Sequence, residues 1–129
     1  MFVDLFEDIQ KRTWAWCEKM FHDRTAWRGV EERGRRFFEE ATELVQVVGL
    51  SKEDLHKIID YVYSRPVGDV RQEIGGTMVC LALLAEGLGL NVGLEYLTEL
   101  KRVENPSIWE KIRSKQFAKN QAGIGGAIE

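Results

Sequence analysis

Apolar side chains recur every three to four positions along almost the whole chain, and no segment keeps the strict apolar and polar alternation of a strand. This period is typical of helices that bury one face. The pattern predicts six helical segments, which cover approximately residues 2–21, 31–48, 52–65, 70–88, 91–104 and 106–118. The fold class is therefore predicted to be all-α.

Local signals mark several of the helix ends. Ser51 and Asp54 have the spacing of a capping box, and Asp69 with Gln72 has the same spacing before the fourth helix. Gly49 supplies a stop for the second helix. These signals favour a single domain over residues 1–119, while the glycine-rich residues 120–129 are expected to form a flexible tail.

Composition narrows the function classes. The 129 residues carry a net charge of −3, which argues against a general nucleic-acid binder because no basic excess is present to neutralise phosphates. The longest uncharged stretch, Ile74–Ala85, is too short to span a bilayer. Cys17 and Cys80 have no metal-binding spacing and are expected to be core thiols. Without a signal-like start, the chain is predicted to be cytoplasmic and not membrane-bound.

Three clustered carboxylates, on Glu39, Glu40 and Glu43, are the main chemical feature of the chain. Spacings of three and four residues place them on neighbouring points of one helix surface. Oxygen ligands of this kind suit a hard cation such as Mg²⁺. On a helical wheel Glu40 lies at the edge of the apolar stripe that begins at Phe37, whereas Glu39 and Glu43 point progressively toward solvent.

A fourth carboxylate, Glu73, opens the uncharged helix and lies on one line with Thr77, Cys80 and Leu84. Since that helix is apolar nearly all round, it is expected to be buried and Glu73 to point into the core. An unpaired buried carboxylate costs several kcal/mol, on the order of the desolvation penalty of an ion. Glu73 therefore needs either a metal ion or a basic partner such as Arg36.

The motif Glu39-Glu40-Ala41-Thr42-Glu43 resembles the E-E-x-x-E motif of the MazG-like all-α nucleoside triphosphate pyrophosphohydrolases. A second block of the chain resembles a branch of that superfamily common in phages and proteobacteria. It runs from Asp60-Tyr61-Val62-Tyr63-Ser64-Arg65-Pro66-Val67-Gly68 to Gln72-Glu73-Ile74-Gly75-Gly76, and the whole resemblance covers about residues 5–119. It implies a MazG-like bundle of four core helices with an extra C-terminal helix.

The resemblance also implies an activity. It is the Mg²⁺-dependent hydrolysis of a nucleoside triphosphate between its α- and β-phosphates, with Mn²⁺ as a possible substitute, to give a monophosphate and pyrophosphate. By position, Glu40, Glu43 and Glu73 would be metal ligands, and Glu39 would be catalytic, as a further ligand or by orienting the water.

Basic side chains near the family's C-terminal helix contact phosphates. The matching candidates for substrate binding are Lys111, Arg113 and Lys115, with Lys119 beside them. Each of these could equally belong to a solvated helix face.

One position departs from the family pattern. The second motif, E-x-x-D, is here Glu73-Ile74-Gly75-Gly76, so the aspartate is replaced by Gly76. Another acid, Asp60 or Asp69, or a water could complete the metal shell; otherwise the protein binds nucleotides without efficient turnover. Two consecutive helical glycines suggest that another helix or a ligand approaches the backbone closely.

Two further expectations concern partners. Trp14, off the main stripe of its helix, and Trp27, in a predicted exposed loop, could stack on a base or pack at a subunit interface. The resembled family forms dimers or tetramers with active sites between subunits, so a homodimer or homotetramer is expected. The alternative to an enzyme is a catalytically weakened MazG-like module that binds nucleotides or another protein.

Overall fold

The structure is a computed structural model that describes residues 1–125. It contains six α-helices, two short 3₁₀ turns and, in the described residues, no strand. This confirms the all-α prediction. The helices are α1 (Phe2–Met20), α2 (Val30–Val47), α3 (Lys52–Tyr63), α4 (Val70–Gly87), α5 (Val92–Glu104) and α6 (Trp109–Gln121), with 3₁₀ turns at Ala26–Arg28 and Pro106–Ile108.

Local sequence determines the helix ends in the way that was predicted. The Ser51 hydroxyl accepts a hydrogen bond from the Asp54 backbone N–H and the Asp54 side chain accepts one from the Ser51 N–H, which completes the capping box of α3. The Asp69 carboxylate caps the N-terminus of α4. Gly49 ends α2 with φ +102°, where Leu50 N–H bonds to Val45 C=O, as in a Schellman motif.

The chain divides into two compact units, and the boundaries fall inside α2 and inside α5. Unit 1 comprises Met1–Glu40 and the chain from Thr98 onward, and unit 2 comprises Ala41–Leu97. The prediction of a single domain over residues 1–119 stays a prediction. Helix α6 extends to Gln121, and residues 126–129 of the predicted tail lie outside the described residues.

Unit 1 has a hydrophobic core where the end of α1 meets the first 3₁₀ turn and α6. Its buried members are Cys17, Met20, Phe21 and Trp27, and the half-buried Trp16, Trp109 and Ile112 pack against them. The first turns of α1 lie outside this core, since Phe2 is 73% exposed. The predicted apolar stripe of α1 is therefore buried only in its C-terminal half.

Unit 2 exposes most of its apolar side chains. Among the described residues of this unit, Ala85 is the only buried side chain, whereas Ile74, Val79 and Leu83 on α4 are 60–68% exposed. The prediction that α4 is buried is therefore wrong for the single chain. Cys80, expected in the core, is exposed as well.

Candidate functional site

A network of alternating charges links α2 to α6 within unit 1. Arg36 Nε lies 3.0 Å from Glu32 Oε1, and Arg36 Nη1 lies 3.4 Å from Glu39 Oε2. Lys119 Nζ reaches Glu39 Oε1 at 2.6 Å. Two acidic and two basic side chains therefore compensate one another, and Glu32, at 4% exposed, is the most deeply buried of the four.

Glu32 was missed in the sequence, because on the helical wheel it falls on the polar side of α2. The signal that was available is the charge pattern, in which Glu32 precedes Arg36 by four residues and Arg36 precedes Glu39 by three. That pattern also occurs on solvated helices, so it does not by itself indicate burial. Burial comes from α6, whose Gln116 Nε2 donates to Glu32 Oε1 at 3.0 Å.

One oxygen of Glu32 remains without a hydrogen bond. Oε2 is sealed from solvent and accepts no hydrogen bond from residues 1–125, although Arg35 Nη1 stands 3.9 Å away. A buried acceptor left unsatisfied costs about 1–3 kcal/mol. The structure therefore carries a buried carboxylate that is neutralised by Arg36 but incompletely hydrogen-bonded.

The burial expected for the clustered glutamates is reversed. Glu39, expected to point to solvent, has a side chain only 25% exposed and is held by Arg36 and Lys119. Glu40, expected at the buried edge, is exposed. The wheel was wrong because it placed Phe37 on the buried stripe, and Phe37 is 58% exposed.

Glu43 and Glu73 both belong to unit 2 and are both exposed, which contradicts the expectation that Glu73 points into a core. Neither side chain forms an ion pair or a hydrogen bond within residues 1–125. Glu73 Oε1 lies against the α3–α4 connection, 2.5 Å from where a Cβ on Gly68 would stand. Arg36, considered as a partner for Glu73, instead pairs with Glu32 and Glu39.

The paired glycines of α4 lie in open space. A Cβ built on Gly75 or Gly76 would meet no atom within 4 Å outside its own helix backbone and chain neighbours. The close approach predicted for this point is therefore not made by residues 1–125. Gly76 has room for a larger side chain, including the aspartate of the resembled family.

The three basic candidates differ in their contacts. Lys111 and Lys115 are exposed on α6. Arg113 Nη1 donates to Met20 C=O at 2.7 Å and to Asp23 Oδ1 at 2.9 Å, and Nη2 donates to Asp23 Oδ2 at 3.0 Å. Hydrogen bonding by Arg113 lowers the pKa of Asp23 from 3.8 to about 2. Arg113 thus ties α6 to the end of α1 as a structural clamp.

Of the two tryptophans proposed to stack on a base, Trp27 is buried in the core of unit 1 and Trp14 is partly exposed. Trp27, predicted to be exposed, is 4% exposed, because it belongs to the core cluster with Cys17, Met20 and Phe21; its ring also lies 4.6 Å from that of Trp14 between centroids. The guanidinium groups of Arg28 and Arg33 lie 5.4 and 5.9 Å from the Trp27 ring. Trp27 therefore packs within the chain, while Trp14 keeps 45% of its surface exposed. Burial raises the pKa of the neighbouring core thiol, Cys17, to about 11.

A cleft of about 350 Å³ opens beside the charge network, entirely within unit 1. It lies between the segment that joins α1 to α2 and one face of α6. Its lining combines aromatic, charged and amide side chains, and it consists of Phe21, Arg24, Ala26, Trp27, Glu32, Glu110, Arg113, Ser114, Gln116, Phe117 and Asn120. No pattern in the sequence predicts this cleft, because its walls come from segments about eighty residues apart in the chain.

The predicted metal ligands do not form a preassembled centre in one chain. Within residues 1–125, no three Asp, Glu, His or Cys side chains come together in a way that could hold a metal ion. The donors are chemically suitable, since Glu40, Glu43 and Glu73 offer exposed carboxylate oxygens. The Mg²⁺ site that the sequence predicts therefore stays a prediction.

Comparison with known proteins yields no match: no protein-family model, curated protein sequence or solved structure matches this chain. No single helix of the described chain is long and apolar enough to cross a membrane. Helices α4 and α5 meet that criterion only as a pair, with a bend of 101° between them.

The charge network generates a stability prediction. Replacing Arg36 by Met removes the cation beside buried Glu32, and we expect the free energy of unfolding to fall by about 3–5 kcal/mol, because an uncompensated buried charge remains. Arg35→Met is the matched control on the same helix. Its side chain is 43% exposed and pairs loosely, so we expect a change below about 1 kcal/mol.

Urea denaturation followed by circular dichroism measures the decrease in the free energy of unfolding for both variants. The double variant Glu32→Gln/Arg36→Met should recover part of the loss, since it no longer leaves a buried charge unpaired. Equal losses for Arg36→Met and Arg35→Met would show that the network does not stabilise unit 1.

Proposed function

We propose that this protein is a metal-dependent nucleoside triphosphate pyrophosphohydrolase of the cytoplasm, which releases pyrophosphate and a nucleoside monophosphate. The proposed metal ligands are Glu43 on α2 and Glu73 on α4, and the motif adds Glu40 as a further candidate. The motifs Glu39-Glu40-Ala41-Thr42-Glu43 and Gln72-Glu73-Ile74-Gly75-Gly76 motivate the proposal through their resemblance to the MazG-like enzymes.

The structural observation that best supports the proposal is that some acidic residues have cationic partners whereas others have none in the described chain. Glu32 and Glu39 are neutralised by Arg36 and Lys119. Glu43 and Glu73 are exposed and have no cationic partner within residues 1–125. Carboxylates without a cationic partner, such as those of Glu43 and Glu73, remain available for Mg²⁺. This ion binds through one or two carboxylates and substrate phosphates.

The same sorting changes the role of two predicted residues. Glu39 is held by a lysine and an arginine, which makes it a positioning residue of α2 in this proposal rather than the group that orients the water. Arg113 is engaged by Asp23 and Met20, which leaves Lys111 and Lys115 as the candidates for phosphate contact on α6.

The proposal includes self-association. Monomeric proteins rarely expose large contiguous apolar surfaces, yet unit 2 exposes Tyr61 and Tyr63 on α3 together with Ile74, Val79 and Leu83 on α4. A second copy of the chain would cover such side chains. It would also supply further carboxylates to a metal site that one chain does not complete, as in the resembled dimers and tetramers.

A second function is favoured by a specific observation. The carboxylates do not converge within residues 1–125, and the motif lacks its aspartate at Gly76. Both facts fit a catalytically weakened MazG-like module that binds nucleotides, or another protein, without efficient turnover. Nucleotide binding without pyrophosphate release would support this alternative.

The first test is a pyrophosphate-release screen over ribo- and deoxyribonucleoside triphosphates with Mg²⁺ or Mn²⁺. We expect release from at least one substrate, and a loss of at least about a hundredfold in Glu43→Gln and in Glu73→Gln, since each removes a charge from the proposed metal site. Glu86→Gln, exposed at the far end of α4, is the matched control and should retain activity. Full activity in both Glu43→Gln and Glu73→Gln would exclude these metal ligands.

A gain-of-function variant addresses the missing aspartate. Gly76→Asp restores the carboxylate of the family motif at a helix position that has room for it, so we expect a lower Mg²⁺ concentration for half-maximal pyrophosphate release. Gly76→Asn has nearly the same shape without the charge and is the matched control. An identical response of the two variants would show that position 76 does not contribute to metal binding.

Self-association has its own test. We expect the wild-type chain to sediment as a dimer or tetramer, and Leu83→Glu to shift it toward monomer, because the substitution places a charge on the exposed apolar face of α4. Thr98→Glu introduces the same charge at an exposed polar position and should leave the mass unchanged. A wild-type protein that stays monomeric at high concentration would contradict the proposed assembly.

A further inference from the structure

We propose that Arg65, on the connection between α3 and α4, binds the phosphate chain of a nucleotide whose metal ion is held by Glu73. This inference deepens the proposed function and rests on it for the identity of the ligand. It places a phosphate-binding side chain in unit 2, the unit that contains Glu73 and Glu43. The candidates on α6, Lys111 and Lys115, belong to unit 1.

Arg65 has no acidic partner in the described chain, although unit 2 contains many carboxylates. Among the four basic side chains of residues 41–97, only Lys57 forms an ion pair with a described residue, at 3.6 Å from Glu53. The others form none within residues 1–125, and they are Lys52, Arg65 and Arg71. A guanidinium only donates hydrogen bonds, so the unpaired Arg65 is available to an anionic ligand.

The Arg65 guanidinium is held in place by an aromatic ring. Its Cζ lies 5.2 Å from the centroid of the Tyr61 ring, and Nη1 donates to Tyr61 Oη at 3.3 Å. The Arg65 backbone is held as well, since its N–H donates to Val62 C=O at 3.2 Å and the following Pro66 restricts its conformation. Most N–H groups of the guanidinium donate to no group of residues 1–125, and its planar fork matches two phosphate oxygens.

The Glu73 carboxylate lies against the same connection. The Glu73 backbone is fixed in the first turn of α4, because its N–H donates to Asp69 C=O at 2.9 Å. Its side chain folds back over Gly68, where an added Cβ would stand 2.5 Å from Oε1 and 3.4 Å from Cδ. Real Cβ atoms essentially never come within 3.0 Å of such an atom, so the absence of a side chain at Gly68 gives the carboxylate its place.

Arg65 and the Glu73 carboxylate are near enough for one ligand to contact both. Gly68 follows Arg65 by three residues, so their Cα atoms are at most about 11 Å apart. A nucleotide with bound Mg²⁺ carries negative phosphate oxygens and a positive metal ion. Mg²⁺ on phosphates takes one or two protein carboxylates, and phosphoryl-transfer sites add cationic side chains to the phosphates. An unpaired arginine and an unpaired glutamate on one short connection therefore favour a metal-bound phosphate chain over a simple cation or anion.

The first test is isothermal titration calorimetry of the full chain with tripolyphosphate and Mg²⁺, a probe that has the phosphate chain without base or sugar. We expect Arg65→Met to weaken binding at least about tenfold, the factor for one hydrogen bond to a charged group. Arg71→Met is the matched control and should bind as the wild-type chain does. Arg71 is also exposed and unpaired in the described chain, but it lies about 200° around α4 from Glu73.

The role of Gly68 is tested with the same probe. Gly68→Ala places a Cβ where the Glu73 carboxylate lies, so we expect a severalfold higher Mg²⁺ concentration for half-maximal binding of tripolyphosphate. Gly75→Ala is the matched control, because its Cβ meets no atom within 4 Å beyond its own helix backbone and chain neighbours. The melting temperature should not fall in Gly68→Ala, since only the end of a flexible side chain has to move.

The nucleotide that gives pyrophosphate in the release screen extends the test to the substrate. We expect Arg65→Met to raise the KM for that nucleotide by about the factor measured with tripolyphosphate. Weaker tripolyphosphate binding with an unchanged KM would assign the site to free polyphosphate and overturn the nucleotide as its ligand.

Equal affinities of Arg65→Met and Arg71→Met overturn the proposal, and so does an absence of tripolyphosphate binding to the wild-type chain. The same Mg²⁺ requirement in Gly68→Ala and Gly75→Ala overturns the place assigned to Glu73. A negative release screen beside Arg65-dependent binding refutes hydrolysis and leaves the phosphate site standing. Pyrophosphate release with the wild-type KM in Arg65→Met refutes the phosphate contact and leaves hydrolysis standing.

Discussion

The burial of Glu32 is the constraint on which the arrangement of unit 1 depends. It is the only charged side chain below a tenth exposed in residues 1–125, and a buried carboxylate needs both a cation and hydrogen-bond donors. Arg36 supplies the cation from the next turn of α2, while Gln116 supplies a donor from α6. While Glu32 stays buried it needs both partners, so Arg36 and Gln116 have to keep their places beside it, and this links α2 to α6.

The helices themselves could be predicted from the sequence because their signals are local. Ser51 with Asp54, and Asp69 at the start of α4, act within a single turn, so no information from distant segments is needed. Gly49 likewise ends α2 through its own backbone conformation. Hydrophobic periodicity then located the six helices to within a few residues of their observed bounds.

The burial of individual side chains could not be predicted in the same way. A helical wheel assumes that the apolar line of one helix faces the core, but Phe37 is 58% exposed and α4 is exposed on most sides. Conversely, Glu32 is buried by Gln116, a residue 84 positions away in the chain. No pattern within α2 predicts this burial. The three glutamates of the motif do share α2, but the motif alone does not tell which of them is neutralised: Glu39 pairs with Arg36 on the same helix and with Lys119 on α6.

The division of the chain into two units also divides its charge. Residues 41–97 hold eight acidic and four basic side chains, a formal net charge of −4, whereas the remainder of the chain carries +1. Electric fields of this kind extend about 10 Å into solution at 0.1 M salt and further at lower ionic strength. An unaccompanied polyanion that diffuses toward unit 2 is therefore repelled, while divalent cations are concentrated at its surface before any specific contact forms. The encounter of unit 2 with a charged ligand is accordingly governed by the counterions that the ligand brings with it.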